Sequence, residues 1–268
     1  MQCPRLDHFV RLNTDGTVSR CGHMITAPRF ASVADMDASI WLSIVKAYMQ
    51  DGDWPDVCYR CRDTESVNST SVRLNAIRFH EKQTRPDYLS VGGVLDNVCN
   101  SACLTCNDNH STKIGSLANR IYLRVDNSAA FWSLPLDRVV HLDISGGEPS
   151  ASANYADILA RLPESVQSVR VNTNGSRIIP ELAHLVERGV EVTVTVSLDG
   201  IGAVHNLVRW PVTWETFYTN LMAYKDMPVK LNLWTTVSVL NVDDLPNIQT
   251  FAQEHGIDHS YAYLKTPV

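Results

Sequence analysis

Apolar and polar residues alternate along the later two thirds of the chain in a pattern of short strands followed by helices. Short apolar runs typical of strands occur at Tyr88–Leu95, Arg138–Ile144, Ser168–Asn172, Glu191–Leu198, Lys230–Val239 and Ser260–Leu264. Amphipathic stretches between them predict helices near 102–118, 152–162, 178–188, 213–225 and 243–255. Six strands alternating with helices predict an α/β fold with right-handed β-α units and a parallel sheet.

The first 87 residues follow a different, α+β pattern. Apolar runs at 9–12 and 17–20 flank the turn residues Asp15 and Gly16, which predicts a hairpin. Helical spacing of apolar residues predicts helices over about 35–50 and 69–82. The run 84–87, Thr-Arg-Pro-Asp, then breaks the pattern. We therefore expect a small N-terminal domain, 1–87, and a larger domain, 88–268.

Composition narrows the class of protein. The 268 residues are 44% hydrophobic and 19% charged, which is an ordinary globular mix. Lys and Arg number 23 against 29 Asp and Glu, a net charge of −6 that argues against nucleic acid as a partner. No apolar run reaches the ~18 residues of a membrane span. The first eight residues lack the basic and apolar segments of a secretion signal, so we expect a cytoplasmic protein.

Seven cysteines are the unusual feature of the composition. An odd number fits a disulfide framework poorly and suits metal or redox chemistry in a reducing compartment. Cys99, Cys103 and Cys106 follow the first strand of the larger domain with C-x3-C-x2-C spacing. Three thiolates can hold three irons of a cubane cluster and leave the fourth iron open. Zinc, with His110 as a fourth ligand, is the competing interpretation.

The other four cysteines form a second set, Cys3, Cys21, Cys58 and Cys61. The predicted hairpin would bring Cys3 and Cys21 together, and the C-x2-C pair at 58 and 61 could supply the other two ligands. Four thiolates complete either a tetrahedral zinc site or a fully ligated iron–sulfur cluster. Counting ligands does not choose between these two.

Distinctive polar loops follow the later strands: Ser145–Pro149, Thr173–Gly175 and Ser197–Gly200. Function in parallel α/β folds gathers at the carboxyl ends of strands, where these loops and the cysteine triplet would meet.

Together, the cysteine triplet, the run Gly146-Gly147-Glu148-Pro149 and the later loops resemble the radical S-adenosylmethionine (SAM) superfamily over residues 88–264. The resemblance implies a partial (β/α)6 TIM-like barrel. The N-terminal cysteine pattern looks like a twitch domain, the shortened relative of the SPASM auxiliary-cluster domain. Two departures stand out. The extension precedes the barrel instead of following it, and Thr105 replaces a commonly aromatic residue, which weakens any adenine contact there.

The resemblance also implies roles for individual residues. Cys99, Cys103 and Cys106 would hold a 4Fe–4S cluster whose open iron chelates SAM, and Cys3, Cys21, Cys58 and Cys61 would hold an auxiliary iron–sulfur cluster, taken as 4Fe–4S. The glycine-rich loop would meet the methionyl ammonium, Ser197 and Asp199 the ribose, and Arg209 the SAM carboxylate. The residues implied for SAM binding are Gly146, Gly147, Glu148, Pro149, Asn174, Ser197, Asp199 and Arg209.

The function implied is that of a radical SAM oxidoreductase. Such an enzyme cleaves SAM reductively to a 5′-deoxyadenosyl radical, which takes a hydrogen atom from a substrate. By family precedent the substrate is a peptide or protein side chain, with a small metabolite or nucleotide as the alternative. A flavodoxin or ferredoxin would supply the electron. A non-enzymatic zinc-binding interaction protein is a more distant alternative. We further expect residues 1–87, the substrate or a second chain to help close the barrel mouth.

Overall fold

One eight-stranded sheet runs through the computed structural model of the chain, which describes residues 2–119 and 121–264. Its strands are β1 (Phe9–Leu12), β2 (Val18–Ser19), β3 (Leu89–Val94), β4 (Val139–Ser145), β5 (Ser168–Thr173), β6 (Glu191–Ser197), β7 (Lys230–Val237) and β8 (Asp258–Tyr263). The N-terminal helices are α1 (Arg5–His8), α2 (Val33–Asp37), α3 (Ile40–Asp51), α4 (Tyr59–Glu65) and α5 (Val72–His80). The later helices are α6 (Thr112–Leu117), α7 (Ser128–Trp132), α8 (Ala153–Ala160), α9 (Glu181–Glu187), α10 (Ala203–Val208), α11 (Trp214–Lys225) and α12 (Leu245–His255).

The sheet order is β2-β1-β3-β4-β5-β6-β7-β8, and every neighbouring pair except β1 and β2 is parallel. Strands β3–β8 confirm the six predicted strands, each shifted at its ends by a few residues. Side chains from β1 and from β3–β8 line one common cavity, so the sheet curves around it in the manner of a partial barrel.

Alternation along each strand separates the helix-facing side from the inside of the barrel. In β5, Val169 and Val171 are buried in the apolar core, while Arg170 between them faces the cavity. The adjacent strand β6 shows the same alternation, since Val194 lies in the core and Thr195 faces the cavity. This period of two is what a pleated strand imposes. The inside of the barrel is therefore polar.

The sheet crosses the expected boundary at residue 87. Strand β1 pairs in parallel with β3, with Arg11 opposite Gly92, and β2 adds an antiparallel strand outside it. The predicted hairpin is therefore present, with a second strand of only two residues, and it extends the sheet of the larger region.

Two helix predictions differ from the structure. Residues 102–111 form turns and irregular chain, and the helix begins only at Thr112. Their backbone hydrogen bonds go elsewhere, because the amides of Ala102 and Leu104 donate to the carbonyls of Trp210 and Val208. The predicted helix 35–50 is divided at Ala38–Ser39, where Ser39 caps the second part.

Within the described residues, the structure contains no helix long and apolar enough to cross a membrane.

Candidate active site

A cavity of about 670 Å³ opens at the carboxyl ends of the parallel strands. The predicted site residues on its wall are Cys99, Cys103, Cys106, Gly146, Gly147, Glu148, Asn174, Ser197 and Arg209. Pro149 and Asp199 do not line it. Chain segments from residue 99 to residue 209 therefore converge on one space.

The cysteine loop is fixed by hydrogen bonds to two neighbouring segments. Its Cys99 amide donates to Thr112 Oγ1 (3.2 Å), and its Ser101 carbonyl accepts from Ser111 Oγ (2.6 Å). On the other side, Asn174 Nδ2 donates to Ser101 Oγ (2.7 Å). These hydrogen bonds fix the loop in a non-helical conformation, where the sequence predicts a helix. Asn174 thus supports the loop as well as lining the cavity.

Burial raises the pKa of all three thiols of this loop, that of Cys99 to about 12. The nearby Glu148 carboxylate raises the pKa of Cys99 further, while Arg209 lowers that of Cys103 and Cys106. A protonated thiol is a poor ligand, so metal binding here must release protons.

The glycine-rich turn has no room for larger residues. Gly146 and Gly147 adopt φ angles of +84° and +58°, in the region that favours glycine. A Cβ on Gly147 would lie 2.6 Å from the carbonyl oxygen of Val98, so the turn packs directly on the cysteine loop. The amide of the next residue, Glu148, also donates to that carbonyl (2.7 Å).

The Glu148 carboxylate joins this turn to the end of β5. It is 1% exposed and accepts hydrogen bonds from Thr173 Oγ1 (2.7 Å), the Asn174 amide (2.6 Å) and Ser150 Oγ (2.7 Å). Its oxygens are thereby committed to the protein, which leaves the turn's backbone as the part that faces the cavity.

Arg209 is held on the cavity wall by a buried ion pair. Its Nη1 lies 2.9 Å from Asp199 Oδ2, and the other carboxylate oxygen accepts from the Thr236 amide (2.7 Å). Burial alone would lower the pKa of Arg209, but Cys103 and Asp199 raise it overall, so the guanidinium stays charged. Its Nε is buried without a hydrogen-bond partner among the described residues. Asp199 lies behind Arg209 and positions it.

Two further buried polar residues anchor the chain just before the cysteine loop and were missed at the sequence level. Asp96 is fully buried and accepts from the Val98 amide (3.0 Å) and from Asn154 (3.1 Å). Asn97 is also fully buried; it donates to the Leu123 carbonyl (2.7 Å) and accepts from the Val125 amide (3.0 Å). The available signal was their position, since both are polar and lie within three residues of the end of β3.

The four N-terminal cysteines also meet, at a separate small cavity. Cys3, Cys21, Cys58 and Cys61 line a space of about 20 Å³ together with apolar residues and the cations Arg5 and Arg73. Burial raises the pKa of Cys3 and Cys58 to about 12, and the other thiols of the set add to the shift. The Arg73 side chain is fixed by Glu65, whose Oε1 accepts from Arg73 Nε (3.0 Å).

Backbone amides point at sulfur in both sets. The Ser101 amide donates to Cys99 Sγ, and the His23 amide donates to Cys21 Sγ, each at 3.4 Å. Hydrogen bonds to sulfur are one of the ways in which proteins tune iron–sulfur clusters. Within the described ranges, no three His, Cys, Asp or Glu side chains are arranged around a single metal ion. A cluster does not require that arrangement, because each thiolate binds a different iron.

The fold and the convergence of cysteines at the strand ends are typical of cofactor-dependent α/β enzymes. The chain belongs to the radical SAM superfamily, whose family model matches residues 95–252. It is an enzyme of that class, and the class implies a 4Fe–4S cluster and SAM.

Relatives and solved structures agree with this assignment. The GTP 3′,8-cyclase of Cronobacter sakazakii (strain ATCC BAA-894) is 32% identical over 115 residues, 41% of this chain and 33% of that protein. The match thus spans about a third of the curated relative. SuiB of Streptococcus suis bound to S-adenosylmethionine has a similar fold, with a TM-score of 0.51 at 16% identity, over 97% of this chain and 63% of SuiB. SuiB bound to its precursor peptide SuiA gives a TM-score of 0.50 at 16% identity, over 97% of this chain and 62% of SuiB.

Proposed function

We propose that the chain is a radical SAM enzyme that binds its 4Fe–4S cluster through Cys99, Cys103 and Cys106 and modifies a peptide or protein side chain. The single observation that carries the proposal is the convergence of these thiols, the Gly146–Glu148 turn and Arg209 on one cavity of about 670 Å³. When bound, the cluster and SAM would supply the one-electron chemistry by which a hydrogen atom is removed from the substrate.

The chain's own residues bind and orient SAM. The turn at Gly146 and Gly147 offers backbone groups to the methionyl ammonium at close approach. Arg209, charged and with an unused Nε, suits the SAM carboxylate. Ser197 lines the cavity and suits the ribose. Because Asp199, Asn174 and Glu148 are engaged in hydrogen bonds to the protein, we assign them to positioning these groups. Pro149 starts a short turn that follows Glu148.

We also propose an auxiliary iron–sulfur cluster, taken as 4Fe–4S, at Cys3, Cys21, Cys58 and Cys61, as in twitch and SPASM domains. Three features favour bound thiolates at this site: the four thiols around one cavity, the amide that donates to Cys21, and the cation of Arg73. Four protein ligands leave no open iron, so this cluster would relay electrons from a flavodoxin or ferredoxin.

A peptide substrate is supported by the shared fold with SuiB, which has been solved with its precursor peptide SuiA. A nucleotide is the second candidate, favoured by the identity to the GTP 3′,8-cyclase. We expect the cytoplasm as the location, because the clusters require a reducing environment.

Anaerobic reconstitution followed by addition of SAM and dithionite tests the reaction class. We expect brown protein that forms 5′-deoxyadenosine and methionine. Colourless, zinc-loaded protein that leaves SAM intact would overturn the proposal. Incorporation of deuterium from labelled peptide or labelled GTP into 5′-deoxyadenosine then identifies the substrate class.

Variants test the auxiliary cluster separately. Cys58→Ala and Cys61→Ala should each lower iron and sulfide content by about half. Unchanged iron and sulfide would remove the auxiliary cluster from the proposal while leaving the SAM site intact.

A further inference from the structure

Arg11 brings a positive charge from the N-terminal region to the active-site cavity. It lies on β1, and its side chain lines the same cavity as the three cysteines 99, 103 and 106. Its strand neighbours Val10 and Leu12 are buried in the apolar core, so Arg11 faces the inside of the barrel. Neither the cysteine spacing nor the glycine-rich loop predicts this residue.

The Arg11 side chain rests in a groove that two glycines leave open. A Cβ on Gly22 would lie 1.8 Å from Arg11 Nη1, and a Cβ on Gly93 would lie 3.0 Å from Arg11 Cγ. Gly93 also has a φ of +104°. The path of the guanidinium towards the cavity therefore depends on glycine at both positions.

Charge balance separates Arg11 from the other arginines of the cavity. Arg209 pairs with Asp199. The exposed Arg170 makes no ion pair among the described residues, but Asp143 stands opposite it in the register of β4 and β5. The guanidinium of Arg11 makes no hydrogen bond or ion pair within residues 2–119 and 121–264. The groups whose charges shift the pKa of Arg11 are Cys21, Arg29 and Arg5, and none of them is a carboxylate. Burying a cation with no carboxylate beside it is costly, which points to a ligand as a source of negative charge.

We propose that Arg11 binds a carboxylate of the substrate, so that the enzyme selects acidic peptides. The inference rests on the proposed peptide-modifying function. A guanidinium binds a carboxylate through two parallel N–H···O bonds, which fixes the orientation of the bound group as well as its position. Arg11 would therefore set which side chain of the peptide reaches the reacting end of the cavity.

A competing role for Arg11 is to balance the charge of the auxiliary cluster. The cations that line the four-cysteine cavity are Arg5 and Arg73, whereas Arg11 lines the active-site cavity. The geometry therefore favours the substrate. Phosphate oxygens accept the same two bonds as a carboxylate, so the experiment has to separate these two sources of negative charge.

The test compares two pools of random peptides labelled with a neutral dye, one carrying two Asp or Glu residues and the other Asn or Gln at the same positions. Binding to the reconstituted, SAM-loaded wild-type enzyme is measured by fluorescence anisotropy. We expect the acidic pool to bind about tenfold more tightly, the ratio typical of one charge-assisted hydrogen-bonded contact. Arg11→Gln should abolish this preference and Arg11→Lys should retain part of it. Arg161→Gln, on an exposed ion pair with Asp157, is the matched control and should retain all of it.

Three results would overturn the proposal. The first is equal binding of the two pools to an enzyme that still cleaves SAM, which leaves the proposed reaction class untouched. The second is tight binding of GTP that Arg11→Gln abolishes, without an acidic-peptide preference, since the anion would then be a phosphate. The third is an Arg11→Gln variant that changes the iron content or the electron paramagnetic resonance of the auxiliary site but keeps the preference between pools.

Discussion

The cysteine triplet and the four-cysteine set place the same side chain in opposite surroundings. The triplet faces a cavity of about 670 Å³ lined by polar groups from the barrel strands. The four N-terminal cysteines enclose about 20 Å³ among mainly apolar residues. Burial raises thiol pKa values at both. The difference is therefore access: only the triplet has room for a second molecule beside its thiols, which suits chemistry there and electron transfer at the other set.

Removing one cysteine from each set tests this comparison most directly. We expect Cys103→Ala to reduce 5′-deoxyadenosine formation to the level of the metal-free protein, because the SAM-binding cluster loses a ligand. Cys58→Ala should retain measurable SAM cleavage with dithionite, which can reduce the remaining cluster directly. Product is quantified by chromatography after anaerobic reconstitution. Equal loss in the two variants would contradict the division of roles.

Arg209→Gln should cause the next largest effect, because it leaves the Asp199 charge buried without its partner. We expect a loss of about 3–5 kcal/mol in the free energy of unfolding, measured with denaturant. The control is Arg161→Gln, whose exposed pair with Asp157 contributes about 0–1 kcal/mol. Similar losses of stability in the two variants would mean that the buried pair of Arg209 with Asp199 does not account for the effect.

Gly147→Ala tests how closely the glycine-rich turn packs on the cysteine loop. Gly189 provides the matched control, because its φ is +80° but no atom lies within 4 Å of the Cβ that alanine would add. Both variants carry backbone strain, and only Gly147→Ala adds the contact with the Val98 carbonyl. We expect Gly147→Ala to cost about 1–3 kcal/mol more than Gly189→Ala in thermal or denaturant unfolding. Equal costs would show that the turn tolerates a side chain.

The smallest expected effect concerns acid stability near the four-cysteine cavity. Burial alone would raise the pKa of the Glu65 carboxyl, but hydrogen bonds from Arg73 and Ser71 lower it overall. A lowered folded-state pKa stabilises the protein above the unfolded value of about 4.3 and loses that contribution as pH falls through the folded-state value. Glu65→Gln should therefore lower stability at neutral pH and flatten the acid side of a stability–pH profile. An unchanged acid side would contradict the assignment.

The sequence predicted the parts of the molecule that carry a periodic or spaced signal. Strands β3–β8 followed from apolar runs, and the convergence of the cysteine triplet with the loop at Gly146 followed from their places after successive strands. Residues 102–111 were wrongly predicted as helix, because their apolar spacing does not reveal that their amides bind the chain near Trp210.

Other features had no local signal at all. Alternation in 9–12 predicts a strand but not its partner, so the pairing of β1 with β3 emerged only from the structure. A single arginine in a strand, such as Arg11, is indistinguishable from a surface charge until the neighbouring strand is known. The commitment of the Asp199 carboxylate to Arg209 likewise depends on a contact between separate loops.

The pairing of β1 with β3 has a consequence for dissecting the protein. A truncated chain starting at residue 88 would leave the backbone groups along one side of β3 without their partners, and exposed strand edges of that kind recruit other chains into aggregates. We therefore expect that the first 87 residues do not fold as a separate module. Heat or denaturant should melt both regions in one shared cooperative transition, and engineers who transplant the four-cysteine segment would need to carry its neighbouring strand along.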